Sequence, residues 1–153
     1  KGNDYNIVLI GDGEDRYNLE QLANELSLSV WFVGESYDQK KNAELIFNAN
    51  LCVSPGNVGL TAIHAMMFGC PVITHNDFRY QGPEFEAIIP QTTGDFFLKD
   101  NVDSLSDTIQ NWICGIGKNR EKVRSNCYYE IDNYWNPFFQ IKKLESIIDN
   151  SNI

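Results

Sequence analysis

The residues best placed to do chemistry are glycines at the ends of apolar runs. Gly11 and Gly13 follow one such run, Gly34 a second, and Gly56 with Gly59 a third. Glycine at that point lets a backbone approach a ligand closely, and equally it permits a tight turn from strand to helix. Ser54-Pro55-Gly56-Asn57 is turn chemistry, with Ser54 or Asn57 able to cap the helix that follows. A strand that passes through such a turn into a helix leaves unpaired backbone N–H groups at its carboxyl end. Those groups form a ready site for an anion, typically a phosphate. Cys52, Cys70, Cys114 and Cys127 show no C-x-x-C spacing and read as reduced structural thiols rather than metal ligands or a disulfide framework.

The elements that position these glycines follow from hydrophobic pattern. Residues 5–10 form a strand whose apolar core, Ile7 to Ile10, is continuous, as in a central parallel strand. Residues 15–28 make an amphipathic helix with Leu19, Leu22, Ala23 and Leu26 on one face. A strand at 30–33, a helix at 37–49 burying Ala43, Ile46 and Phe47, and a strand at 51–53 come next. The next helix carries Leu60, Ile63 and Met67 at helical spacing with Met66 beside them; Gly69 ends it and Pro71 cannot continue it. A strand at 71–74 and an irregular segment at 77–90, with one helical turn at 84–88, lead to a short edge strand at 94–98. Helices at 103–113 and 120–134 and a last one from Pro137 complete the chain, the last with Phe138, Ile141, Leu144, Ile147 and Ile148 as its apolar face.

Strand and helix in alternation demand crossover connections, so the fold class is α/β: a Rossmann-like open parallel sheet with helices on both faces. Ligands of such sheets bind beyond the carboxyl ends of the strands. The loops expected at that edge are Gly11-Asp12-Gly13, Gly34-Glu35-Ser36, residues 54–59 and residues 75–83.

The 153 residues fit one domain, 1–153. A net charge of −9, with no basic cluster larger than Lys40-Lys41 or Lys142-Lys143, argues against a broad nucleic-acid footprint or an anionic-membrane patch. No run reaches transmembrane length, and Lys1 onward has no signal-peptide pattern. The chain lacks an initiator methionine and starts almost inside a strand, which suggests a piece of a longer protein.

Ile10-Gly-Asp-Gly-Glu-Asp-Arg16, Val33-Gly34, Ala49-Asn50-Leu51-Cys52-Val53-Ser54-Pro55, Gly59-Leu60, Ala65-Met66, Gly69 and Pro71-Val72-Ile73-Thr74 occur in the order found in GT-B glycosyltransferases. They most resemble the C-terminal, donor-binding domain of the group 1 enzymes (retaining glycosyltransferase family 4). The resemblance covers residues 7–97. It implies a half-enzyme that grips a nucleotide-sugar without a metal or other cofactor. The amides near Val58, Gly59, Leu60 and Thr61 would face the diphosphate, with a hydrogen bond from the Thr61 hydroxyl, and Gly34 and Glu35 would lie near the base. Gly11 and Gly13 belong to the same ligand edge.

Two departures stand out. The family pattern has two glutamates separated by seven residues, the first near the donor sugar and the second on the ribose. Gly56 and His64 occupy those positions here. A sugar contact from position 56 is then lost or made by Asn57, while His64 is either a ribose partner or a structural histidine. The family's basic pair for the diphosphate lies upstream of Ile7, and Arg79 is the only cation in the ligand-side loops after the central helix.

No residue of this chain is assigned a catalytic role. The resemblance implies a cytoplasmic part of a glycosyltransferase for surface-polysaccharide synthesis, inactive without a missing N-terminal acceptor domain, the whole protein associating peripherally with a membrane. A non-catalytic binding or scaffolding module of the same fold, or a sugar-nucleotide epimerase, is the alternative.

Overall fold

A computed structural model describes residues 5–150. The chain divides into two compact units that part between Asn42 and Ala43.

The first unit is built on β1 (Ile7–Ile10) and β2 (Val30–Gly34), joined through α1 (Arg16–Glu25), with α2 (Gln39–Asn48) beginning in it. The two strands are parallel, Ile7 opposite Val30, and the register slips after Leu9 so that Ile10 faces Gly34. α1 ends at Glu25, short of the expected residue 28, because Ser27 turns left-handed at φ +53°. Ser27 N–H then bonds Asn24 O and Leu28 N–H bonds Ala23 O, closing the helix in a Schellman motif. Among the described residues β1 pairs with β2 alone, and Ile7, Val8, Leu9 and Ile10, whose continuous run suggested cover on both faces, are each 37–43 % exposed. On α1 only Ala23 is buried, and Leu19, Leu22 and Leu26 are exposed.

The second unit holds the core. Strands β3 (Cys52–Ser54), β4 (Val72–His75) and β5 (Gly94–Phe97) form a parallel sheet in the order β3-β4-β5, with β5 at the edge as its length suggests. β4 is buried throughout. A β-carbon on Gly94 would fall on the Val72 carbonyl, so only glycine lets the edge strand close on β4. Between β3 and β4 runs α3 (Leu60–Met67), which buries Ala62, Ala65 and Met66. Leu60 and Met67, expected inside, are exposed. α3 packs against the helix at Arg120–Tyr134 and the 3-10 turn at Pro83–Ala87, and its small buried alanines suit close approach. Gly69, at φ +70°, closes α3 with Gly69 N–H to Met66 O and Cys70 N–H to Ala65 O.

Two 3-10 turns, Phe78–Tyr80 and Pro83–Ala87, stand where one turn was expected. Helices α4 (Val102–Cys114), α5 (Arg120–Tyr134) and α6 (Pro137–Asn150) follow. Trp112 of α4 and Val123, Cys127 and Ile131 of α5 join Met66, Val72 and Ile73 in the core. α5 also caps α2: Arg120 Nη2 donates to Phe47 O (2.6 Å) and Ala49 O (3.3 Å), and Arg124 Nη2 to Phe47 O (2.7 Å). Glu130 accepts from Trp135 Nε1 at 3.2 Å, and burial holds its carboxyl above the ordinary range. On α6 Phe138, Ile141, Leu144, Ile147 and Ile148 are exposed, while Phe139 is half-buried against Tyr134. The four cysteines are free; burial pushes Cys52 up to about 11 and Cys127 to about 12.

Candidate functional site

The structure gathers the expected site residues into two groups, one in each unit.

In the first unit Gly11 and Gly34 adopt φ +134° and +78°, and Gly11 N–H donates to Gly34 O at 2.9 Å. The loops after β1 and β2 are therefore neighbours. Asp12 accepts from Gly13 N–H (2.8 Å) and pairs with Arg16 Nη1 (2.9 Å), whose Nε also reaches Glu20 (2.8 Å). The Arg16 guanidinium lies so close over Gly34 that a β-carbon there would sit 3.0 Å from Nη1. Glu35 accepts from the Tyr37 hydroxyl at 3.3 Å and is exposed.

In the second unit the loop after β3 delivers Gly56, Asn57, Val58, Gly59, Leu60, Thr61 and His64 to the tip and first turns of α3. Neither Ser54 nor Asn57 caps this helix. The N-cap is Gly59, at φ +44° and ψ −144°, with no side-chain cap. That backbone conformation is essentially restricted to glycine, which is why the cap falls where the side-chain rule does not place it.

Of the four amides expected to face an anion, two are engaged. Val58, only 2 % exposed, donates to Gln81 Oε1 at 2.9 Å, and Thr61 N–H donates to Val58 O at 3.1 Å. Among the described residues the N–H groups of Gly59 and Leu60 have no acceptor. Thr61 and His64, three residues apart, share the exposed face of the helix just behind those two amides. Gly56 and Asn57 are exposed before it.

Two residues that pattern did not single out hold this loop. Thr74, fully buried in β4, donates its hydroxyl to Gly56 O at 3.2 Å, and Gln81 Nε2 donates to Thr74 Oγ1 (3.0 Å) and His75 O (3.2 Å). A threonine inside an otherwise apolar strand was a usable signal for the first. Nothing local marks Gln81, whose partners lie up to 25 residues away.

His75 is buried, accepts from Asp77 N–H on Nδ1 (3.2 Å) and turns its ring edge to Phe97, so it is a structural histidine. Arg79 is bound through Nε and Nη2 to both oxygens of Asp77, at 3.0 and 3.1 Å, and holds that carboxyl below its usual range. Among the described residues no group of His, Cys, Asp or Glu is arranged to hold a metal ion, and no helix is long and apolar enough to cross a membrane.

Residues 1–128 match the family model of glycosyl transferases group 1. The chain belongs to that family. No curated protein matches it. Solved structures do. The chain is similar to sucrose-phosphate synthase from Thermosynechococcus elongatus, at 25 % identity and TM-score 0.70 over 94 % of this chain and 38 % of that one. It is similar to HepE from Anabaena in complex with UDP, at 18 % identity and TM-score 0.71 over 95 % of this chain and 41 % of that one. The C-terminal domain of a group 1 family glycosyl transferase from Francisella tularensis matches at 22 % identity and TM-score 0.70, over 88 % of this chain and 71 % of that one. The chain thus spans about two-fifths of the length of the first two. Its fold is the Rossmann-like α/β domain of GT-B glycosyltransferases, in its C-terminal form.

Proposed function

We propose that residues 1–153 are the donor-binding domain of a retaining glycosyltransferase, which takes the sugar of a nucleotide-sugar donor and needs an N-terminal acceptor domain to pass it on. The observation that carries this reading is the tip of α3, where Gly59 and Leu60 N–H groups are unclaimed among the described residues, beside exposed Thr61 and His64. An N-terminal helix tip with two free amides and a partial positive charge suits a diphosphate. HepE, of like fold, is described in complex with UDP-glucose, which favours a donor of that class. Gly11, Gly13, Gly34 and Glu35 are assigned to the base, Gly56 and Asn57 to the donor sugar, Thr61 to the phosphate and His64 to the ribose. Donor binding on this reading needs no metal. The whole protein works at the cytoplasmic face of a membrane in surface-polysaccharide synthesis.

Titration calorimetry with UDP in the presence of a chelator tests it. Weak binding is expected, lowered by Thr61→Ala or His64→Ala, with no sugar transfer by this chain alone. Undiminished binding in both variants, or turnover by the isolated chain, would overturn it. A second reading keeps donor binding but not catalysis, and the presence of Gly56 and His64 at the two family glutamate positions favours it. Product analysis of the two-domain protein separates the two, and an epimerised nucleotide-sugar formed without acceptor would identify the epimerase instead.

A further inference from the structure

Gln81 joins the loop before α3 to β4 through its side-chain amide. Its Oε1 accepts from Val58 N–H at 2.9 Å; its Nε2 faces Thr74 Oγ1 (3.0 Å), His75 O (3.2 Å) and, more distantly, Gly56 O (3.4 Å). The orientation of the amide is fixed by its surroundings, since three acceptors lie on one side and a single donor on the other. Thr74 completes the arrangement by donating its own hydroxyl to Gly56 O at 3.2 Å. The main chain on both sides of Asn57 is thereby tied to β4, through one neutral side chain that itself sits between two 3-10 turns.

We infer that Gln81 is a positioning residue of the anion site: it removes the Val58 amide from the set that can face a phosphate and fixes the direction of the Gly59 and Leu60 amides that remain. The inference rests on the reading of the α3 tip as a phosphate site. The chemistry explains why an amide serves here. A carboxylate would keep the acceptor for Val58 but set a negative charge against three oxygen atoms and beside an incoming anion. An aliphatic side chain would leave Val58 N–H, which is buried, without a partner.

The test is amide NMR of the full chain titrated with inorganic pyrophosphate. In the natural sequence the Gly59 and Leu60 resonances should move and that of Val58 should stay. Gln81→Ala should weaken binding about tenfold, the weight of one buried hydrogen bond, and bring Val58 into the responding set. Gln81→Glu should weaken it further. Thr74→Val, which removes only the hydroxyl between Gln81 and Gly56, should produce a smaller loss of the same kind and supplies the answer if Gln81→Ala does not fold. A natural chain whose Gly59 and Leu60 amides ignore pyrophosphate would sink the phosphate site itself. Responding Gly59 and Leu60 amides with a silent Val58 in Gln81→Ala, or with unchanged affinity in Gln81→Ala or Thr74→Val, would overturn the role of Gln81 alone.

Discussion

The two units carry the same strand–helix–strand motif with glycine after the strand, yet they keep it in place by different physics. The glycine loops of the first unit are held by charge: Arg16 bridges Asp12 and Glu20 at the surface. The loop before α3 is held by neutral hydrogen bonds from Gln81 and Thr74, the latter fully buried. Their interiors differ in the same sense. β4 is covered along its whole length, whereas the apolar side chains of β1 and α1 remain largely open to solvent. An apolar run therefore announces a strand but not its cover, and a glycine turn announces a loop but not what fixes it.

The sharpest way to break this contrast is to truncate one apolar side chain in each unit. Trp112→Ala, removing a residue 2 % exposed, should cost about 3–5 kcal/mol in urea unfolding. Leu22→Ala, at a site 48 % exposed, should fall within about 0.5 kcal/mol. Equal losses would mean that the first unit is as well packed as the second. Next in size, Gly59→Ala forces a side chain into φ +44° and should cost about 1–3 kcal/mol. It should also depress UDP binding measured by calorimetry, and unchanged affinity would show that the tip geometry is not what binds.

Glu130 gives a smaller effect with a defined sign. Because burial raises its folded-state pKa, the folded chain favours the neutral acid. Stability is then fullest below the ordinary glutamate range and falls as pH rises through that range to the raised value. Glu130→Gln keeps an acceptor for Trp135 and should flatten the fall that begins as pH rises through the ordinary glutamate range in thermal melts; a parallel curve would exclude burial as the cause. Smallest of all, Arg16→Met should lower the melting temperature slightly at low salt and not at about 1 M, where exposed pairs are screened. A loss that persists at high salt would place Arg16 among packing residues.

The order of elements was legible because each is locally encoded: Arg120–Tyr134 was readable as a polar helical run after the break at Gly115 and Gly117, and β5 as a short strand. The buried face of α3 was not, because large residues at Leu60 and Met67 outweigh Ala62 and Ala65 in any hydrophobic pattern. Close packing of helices favours the small side chain, which a hydropathy reading discounts. At the site, the strand, turn and helix start were readable, as was their glycine chemistry. Which amides stay free was not. That depends on Gln81, an ordinary amide brought in from beyond β4, and on Gly59 serving as a cap through its backbone alone.

The arginines that close α2 have one more consequence. The chain contains four arginines; Arg120 and Arg124 are seated on the carbonyls of Phe47 and Ala49, Arg16 and Arg79 on carboxylates. Each of the four guanidinium groups thus already has a protein acceptor. On the proposed reading, an oxyanion at the α3 tip would meet the Gly59 and Leu60 amides and the positive end of the helix dipole in place of a guanidinium. The hold of that tip on a phosphate would then grow with the charge the phosphate carries, and would come from peptide groups alone.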